Sequence, residues 1–170
     1  EVCVAGICAP QGVRAPNPGE VIVNEVMYDP TEVRDADGEW FELYNVSADP
    51  ISLQGCAVSD RGESTELSGL FLRPNAYAVL VRSLDEELNG GIAGNHAFGF
   101  SLNNGGDTIT LACNGNAIDA LTYGRDEGFP DEGGQSISLD PGRATAEGND
   151  ESANWCLSAG TPGAGNAVCQ

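Results

Sequence analysis

Between Val21 and Tyr28 apolar and polar positions alternate, and they alternate again between Glu39 and Asn45. A period of two residues belongs to a strand with one buried and one outward face. In the first run Val21, Val23 and one of the Val26/Met27 pair are expected to face inward. In the second, Trp40, Glu42 and Tyr44 share one face, while Phe41 and Leu43 form the inward pair. Ile51–Leu53 and Cys56–Ser59 read as short strands broken at Gly55. Leu70–Leu72 and Tyr77–Arg82 flank the turn signal Pro74-Asn75, and Ala97–Leu102 is short and apolar. Thr108–Cys113 and Ala117–Tyr123 lie on either side of Asn114-Gly115, a pair suited to the positive φ angles of a type I′ hairpin. Gln135–Leu139 is the last strand, bounded by Gly133-Gly134 and Asp140-Pro141-Gly142.

About nine or ten short strands at regular spacing predict an all-β sandwich or barrel. The expected core is centred on Phe41, Leu43, Val79, Ile109 and Leu111. One helical signal stands out: Ser83–Asn89, with Ser83 as cap and Glu86 three residues on. From Arg143 onward the pattern is loop-like, with Asn154-Trp155 and Thr161-Pro162-Gly163 packing back on the sandwich. Residues 1–19 carry prolines and two cysteines but no strand pattern. They read as a linker or the end of a preceding module, with the folded domain spanning 20–170.

At 170 residues the chain holds one domain with a real core. It opens at Glu1 rather than Met, as expected of a piece of a longer protein. It has no apolar run long enough for a membrane span. Charge then narrows the partners: 26 acidic residues face 7 basic ones, lysine is absent, and the net charge is -19. That balance opposes nucleic acids and anionic membranes and suits cations or basic partners.

The six cysteines, Cys3, Cys8, Cys56, Cys113, Cys156 and Cys169, lack zinc-type spacing and have one histidine to complement them. They read as disulfides in an oxidising compartment, with Cys3–Cys8, Cys56–Cys113 and Cys156–Cys169 as the expected pairing.

The ordered segments Val23–Tyr28, Glu39–Asn45, Ile51–Asp60, Phe71–Tyr77, Leu102–Leu111 and Ser136–Pro141, followed by Ala153-Asn154-Trp155 and Gly160-Thr161-Pro162-Gly163, resemble a lamin tail domain of the kind found in secreted bacterial proteins. The resemblance spans roughly residues 20–166. It implies an immunoglobulin-like β-sandwich and no catalysis. Cys56 stands where the bacterial pattern often has Trp, which favours a disulfide there. The chain has neither the heptads of a filament rod nor a basic cluster, so no nuclear or DNA-binding role carries over.

The loop from Asp29 to Glu39 is the best site candidate. Asp35-Ala36-Asp37-Gly38 resembles the start of an acidic calcium loop, and Asp29, Asp35, Asp37 and Glu39 are the candidate ligands. The acidic segment Arg125–Glu132 and the turn Asn103–Asp107 are secondary candidates. Glu25 and Glu42 sit within strands, where a carboxylate is expected to accept hydrogen bonds from loop backbone or an arginine. His96 has no partner nucleophile in sequence. No Gly-x-Ser-x-Gly elbow, phosphate loop or HExxH motif occurs.

The function expected is therefore a non-catalytic recognition, adhesion or architectural module, monomeric, secreted or on a bacterial cell surface, and stabilised by calcium. Its partner would be a protein or cell-surface ligand. The alternative is an accessory targeting domain of an attached hydrolase or nuclease.

Overall fold

The computed structural model describes residues 12–170 in full, and the backbone of two strands ahead of them, β1 (Val2–Val4) and β2 (Ile7–Ala9). These two pair antiparallel with Cys3 opposite Cys8, but their side chains, and with them the expected Cys3–Cys8 bond, lie outside the described residues.

Twelve strands follow. They are β3 (Val21–Met27), β4 (Trp40–Asn45), β5 (Ile51–Ser52), β6 (Cys56–Ser59), β7 (Ser64–Leu67) and β8 (Phe71–Leu72). Then come β9 (Tyr77–Val81), β10 (His96–Ala97), β11 (Asp107–Cys113), β12 (Asn116–Tyr123), β13 (Ser136–Leu139) and β14 (Trp155–Ser158). Two single helical turns, α1 (Asp35–Gly38) and α2 (Ala146–Asn149), interrupt them.

The strands form a six-stranded sheet in the order β10-β9-β4-β3-β13-β14 and a four-stranded sheet in the order β12-β11-β6-β7, with β5 and β8 paired separately. Between the sheets lies the core. Val26, Phe41, Leu43, Leu80, Ile137 and Leu139 face Val58, Ile109, Leu111 and Leu121, all fully buried. Phe98 packs tilted against Phe41 at 5.0 Å and Phe100 stacks on it at 6.4 Å. This is the β-sandwich expected from the alternation.

One expected core residue faces the other way. Val79 is buried, but it shares the outer face of the six-stranded sheet with Met27, Trp40 and Val81, in a second apolar cluster. The period of two requires it, because Val79 pairs with outward Glu42 while Leu80 pairs with inward Phe41. That outer face is buried because the C-terminal segment crosses it. A side chain at Gly160 would press on Trp40, and one at Gly165 on Tyr77.

The hairpin at Asn114-Gly115 has φ of 51° and 81°, the two positive values its sequence demands. Ser83–Asn89 forms turns rather than a helix. Asn89 donates its side-chain amide to the Ser83 and Ile92 carbonyls, 2.8 Å each, folding the segment on itself. The tail from Arg143 contains α2 and β14, neither legible as a periodic pattern. Cys56–Cys113 joins β6 to β11, and Cys156–Cys169 ties β14 to the C-terminus, both as expected. Arg14 is also built into the domain: it bonds through its backbone to Pro50 and Ser52 and through its guanidinium to Glu20 and Asp49.

Candidate functional site

Three loops meet at one end of the sandwich: 28–39, 101–107 and 124–135. In the first, the stretch expected to open a calcium loop is a helical turn, with the amides of Asp37 and Gly38 both on the Arg34 carbonyl at 2.9 Å. Gly38 is required here, since any side chain would strike Val33 and Pro30. Asn104, from the second loop, donates its side-chain amide to Asp29 and to Asp35, 3.3 Å each. From the third, Asp131 accepts from the Tyr28 hydroxyl at 3.2 Å and pairs with Arg125. Tyr28 stacks on Tyr123 at 5.0 Å beneath them. Segments far apart in sequence thus form one acidic surface.

The four expected ligands do not converge. Asp29 and Asp35 come together around Asn104. Asp37 is held by Arg34 at 2.5 Å. Glu39 turns inward, 1% exposed, to Arg82 at 3.0 Å and to the Leu102 amide at 3.1 Å. Burial pushes Glu39 up to about 7, against the pull of the Leu102 amide and Arg82. Among the described residues, no group of three or more His, Cys, Asp or Glu is arranged to hold a metal ion.

The two strand carboxylates do what a buried carboxylate in a strand is expected to do. Glu25 accepts from the hydroxyls of Ser136 (2.6 Å), Ser138 (2.7 Å) and Thr161 (2.9 Å), and from the Thr161 amide at 3.1 Å. Glu42 accepts from the Asn24 side chain at 2.8 Å and the Gly163 amide at 2.6 Å. Burial raises Glu42 to about 7, the two donors oppose that, and neighbouring Glu25 adds to it. Both carboxylates are fully buried under the C-terminal segment, so neither faces a cleft where a substrate could sit.

A further buried carboxylate escaped the sequence reading. Asp119, on β12, accepts from the Val23 amide and the Asn149 side chain, both at 2.8 Å. Burial lifts it to about 6 despite these donors. The Asn149 carbonyl accepts the Trp155 indole N–H at 2.9 Å, which seats that ring, while the Asn149 side-chain oxygen has no partner. The signal was present as an Asp inside an alternating run, but Asp119 had no visible counterpart until the fold brought Asn149 to it.

His96 hydrogen-bonds the Ala97 carbonyl at 2.7 Å through Nδ1. Trp40 and Trp155 are buried, so neither ring offers a surface for stacking. What the acidic end can do chemically is attract and hold cationic groups. Glu32, Asp35, Asp126 and Glu127 are exposed there.

The family model described as Lamin Tail Domain matches residues 14–125. The match takes in four of the five arginine-paired carboxylates of the described residues, Glu20, Asp37, Glu39 and Asp49, and ends before Asp131, β13 and the C-terminal segment. No curated protein and no solved structure matches the chain.

Proposed function

The chain belongs to the lamin tail domain family, whose members are non-catalytic immunoglobulin-like domains, and on that premise we propose that it is an extracellular recognition module. The observation that carries this reading is the fate of the carboxylates. The buried ones whose proton affinity is raised, Glu39, Glu42 and Asp119, are committed to holding loops and strands together. Glu32, Asp35, Asp126 and Glu127 are exposed together on the loop end, where an immunoglobulin-like sandwich offers contact surface. A net charge of -19 directs that surface toward a basic protein or cell-surface ligand.

Two disulfides fit an oxidising compartment, which supports a secreted or surface-displayed protein, and no helix of the described residues is long and apolar enough to cross a membrane. Calcium enters the proposal through Asp29 and Asp35. Two carboxylates give a weak site, in the millimolar range of extracellular modules.

The test is binding to an immobilised poly-lysine surface across a salt series. The reading expects affinity that falls steeply with salt and weakens when Glu32, Asp35, Asp126 and Glu127 are replaced by Gln or Asn. Salt-independent binding, or turnover of a glycan, ester or nucleic acid abolished by Glu42→Gln, overturns it.

A further inference from the structure

Of the four lateral edges of the two large sheets, three are short or closed. β10 has two residues. β7 has four, and its Thr65 hydroxyl takes the Gly99 amide at 2.9 Å. β14 has four and is tied to the C-terminal segment by Cys156–Cys169. The fourth edge is β12, with eight residues the longest strand in the described structure, at the rim of the four-stranded sheet.

The register of β12 fixes which groups it shows. The Gly19 amide reaches the carbonyl of Ile118, a bulge residue with no partner on β11, from outside the sheet at 2.8 Å, so that carbonyl points to the rim and the Asp119 amide beyond it turns inward to β11. In an antiparallel strand the N–H and C=O of one residue point the same way and alternate along the chain. Ala120 and Thr122 therefore turn their backbone groups to the rim as well, and both residues are exposed. Among the described residues, Gly19 is the one backbone donor or acceptor that engages this rim, although the Ala120 amide leans on the neighbouring Asp119 carboxylate. Soluble proteins guard such edges with Lys, Pro or a covering element. β12 contains neither residue; Pro18, Gly19 and α2 lie against it as far as Ala120, and the outer rim at Ala120 and Thr122 stays exposed.

The surroundings are acidic. A groove of about 350 Å³ runs beside the strand, lined by Gly19, Ile118, Ala120, Ala146, Glu147 and Asp150. Past Tyr123 the chain enters Asp126 and Glu127, while Arg125 is taken up by Asp131. A second copy would bring these same carboxylates, and another charge of -19, against themselves. A basic strand would neutralise them.

We infer that β12 is a strand-addition site for an extended, lysine- or arginine-bearing segment of a partner protein, hydrogen-bonded to the rim at Ala120 and Thr122. This rests on reading the chain as a recognition module and adds a surface distinct from its loop end. Main-chain pairing gives such a site affinity, and the flanking carboxylates select charge.

The probe is a peptide of alternating lysine and threonine about as long as β12, with a glutamate–threonine peptide as control, titrated into the intact chain while amide exchange is followed residue by residue. The expected result is protection of the Thr122 amide by the lysine peptide alone. Thr122→Pro removes the rim donor without touching the β11 ladder and should weaken binding about tenfold. Ala120→Lys leaves the backbone intact and should weaken it several-fold by charge, which keeps the test decisive should the proline variant not fold.

Protection confined to the loops 28–39 and 124–135 overturns the strand-addition site and leaves the acidic recognition surface standing. Equal binding of both peptides overturns the charge argument. Concentration-dependent protection without peptide, with a dimer mass in sedimentation, assigns the edge to a second copy and overturns the proposal. Absence of binding to either peptide overturns it too, and poly-lysine binding then decides separately whether the recognition reading survives.

Discussion

Glu25 on β3 and Glu42 on β4 stand directly opposite each other, two fully buried carboxylates in one cross-strand pair, and among the described residues neither meets a basic side chain. Like charges in that position repel. The fold answers in two ways. Ser136, Ser138, Thr161, Asn24 and Gly163 supply donors, and Glu42 holds its proton to about 7. The pair therefore pins the C-terminal segment over the outer face of the six-stranded sheet.

This fixes a pH dependence. Glu42 and Glu39 are raised from 4.5 to about 7, and Asp119 from 3.8 to about 6. Each binds its proton more tightly folded than unfolded, so each favours the fold fully below its unfolded value and loses that contribution as pH rises through its folded value. For Glu42 the span is on the order of 3 kcal/mol. Glu20, lowered to about 2 by Arg14, acts with the opposite sign but only below its unfolded value of 4.5. The melting temperature should therefore be higher near pH 5 than near pH 8. Relief of the general negative charge acts in the same direction, so Glu42→Gln, which flattens only its own share, separates the two. An unchanged slope in that variant refutes the assignment.

The two carboxylates should not be equal in mutational cost. Glu25→Ala strands three hydroxyls and an amide, whereas Glu42→Ala strands one side-chain amide and one backbone amide. With a cost of about 1–3 kcal/mol for each buried group left unsatisfied, tempered by local relaxation, Glu25→Ala should be the more destabilising in urea denaturation. It should also open residues 159–168 to limited proteolysis at neutral pH.

Much of the sandwich was legible because its strands bury one face only. Phe41 and Leu43 against Glu42, or Ile109 and Leu111 against Thr110, state the period of two outright. Val79 shows the limit of that reading. Its strand is apolar on both faces, so periodicity could not assign it to a side, and only the C-terminal segment lying over it explains why. β14 and α2 were invisible for a related reason: their order comes from Asn149, Asp119 and Cys156–Cys169, contacts distant in sequence that carry no local pattern. At the candidate site the acidic loop was found but its internal pairing was not, since Asp37 and Glu39 are claimed by Arg34 and Arg82.

The disulfides should differ in worth. Cys56–Cys113 closes a separation of 57 residues and Cys156–Cys169 one of 13. Loop-closure entropy assigns them about 4 and about 3 kcal/mol. Cys56→Ala/Cys113→Ala should lose more stability in denaturant than Cys156→Ala/Cys169→Ala. The second pair should instead expose the outer face of the six-stranded sheet, read as quicker exchange of the Thr161 and Gly163 amides.

Calcium held at Asp29 and Asp35 must raise the melting temperature with concentration by mass action. The rise should appear at millimolar calcium and vanish in Asp29→Asn/Asp35→Asn. Asp37→Asn, which removes a carboxylate already held by Arg34, should leave it intact. A rise abolished by Asp37→Asn instead would place the ion elsewhere in the loop.

Asp119 offers the sharpest test of how the tail is anchored. Its carboxylate satisfies the Val23 amide and the Asn149 side chain, yet the Asn149 side-chain oxygen goes without a donor. Asp119→Ala removes the acceptor and leaves both donors bare, at about 2–4 kcal/mol. Asp119→Asn keeps one acceptor oxygen, which can go on accepting from the Val23 amide and from the Asn149 side chain, itself held by the Val23 carbonyl at 3.2 Å. It also removes the burial penalty of a charge at high pH. The asparagine variant should therefore lie well above the alanine variant in stability, and above the parent chain near pH 8 though not near pH 5. Trp155 reports it directly, since its indole bonds the Asn149 carbonyl: its fluorescence should shift red in Asp119→Ala and hold its position in Asp119→Asn. Equal losses in the two variants would mean that side-chain volume, rather than hydrogen bonding, is what Asp119 provides.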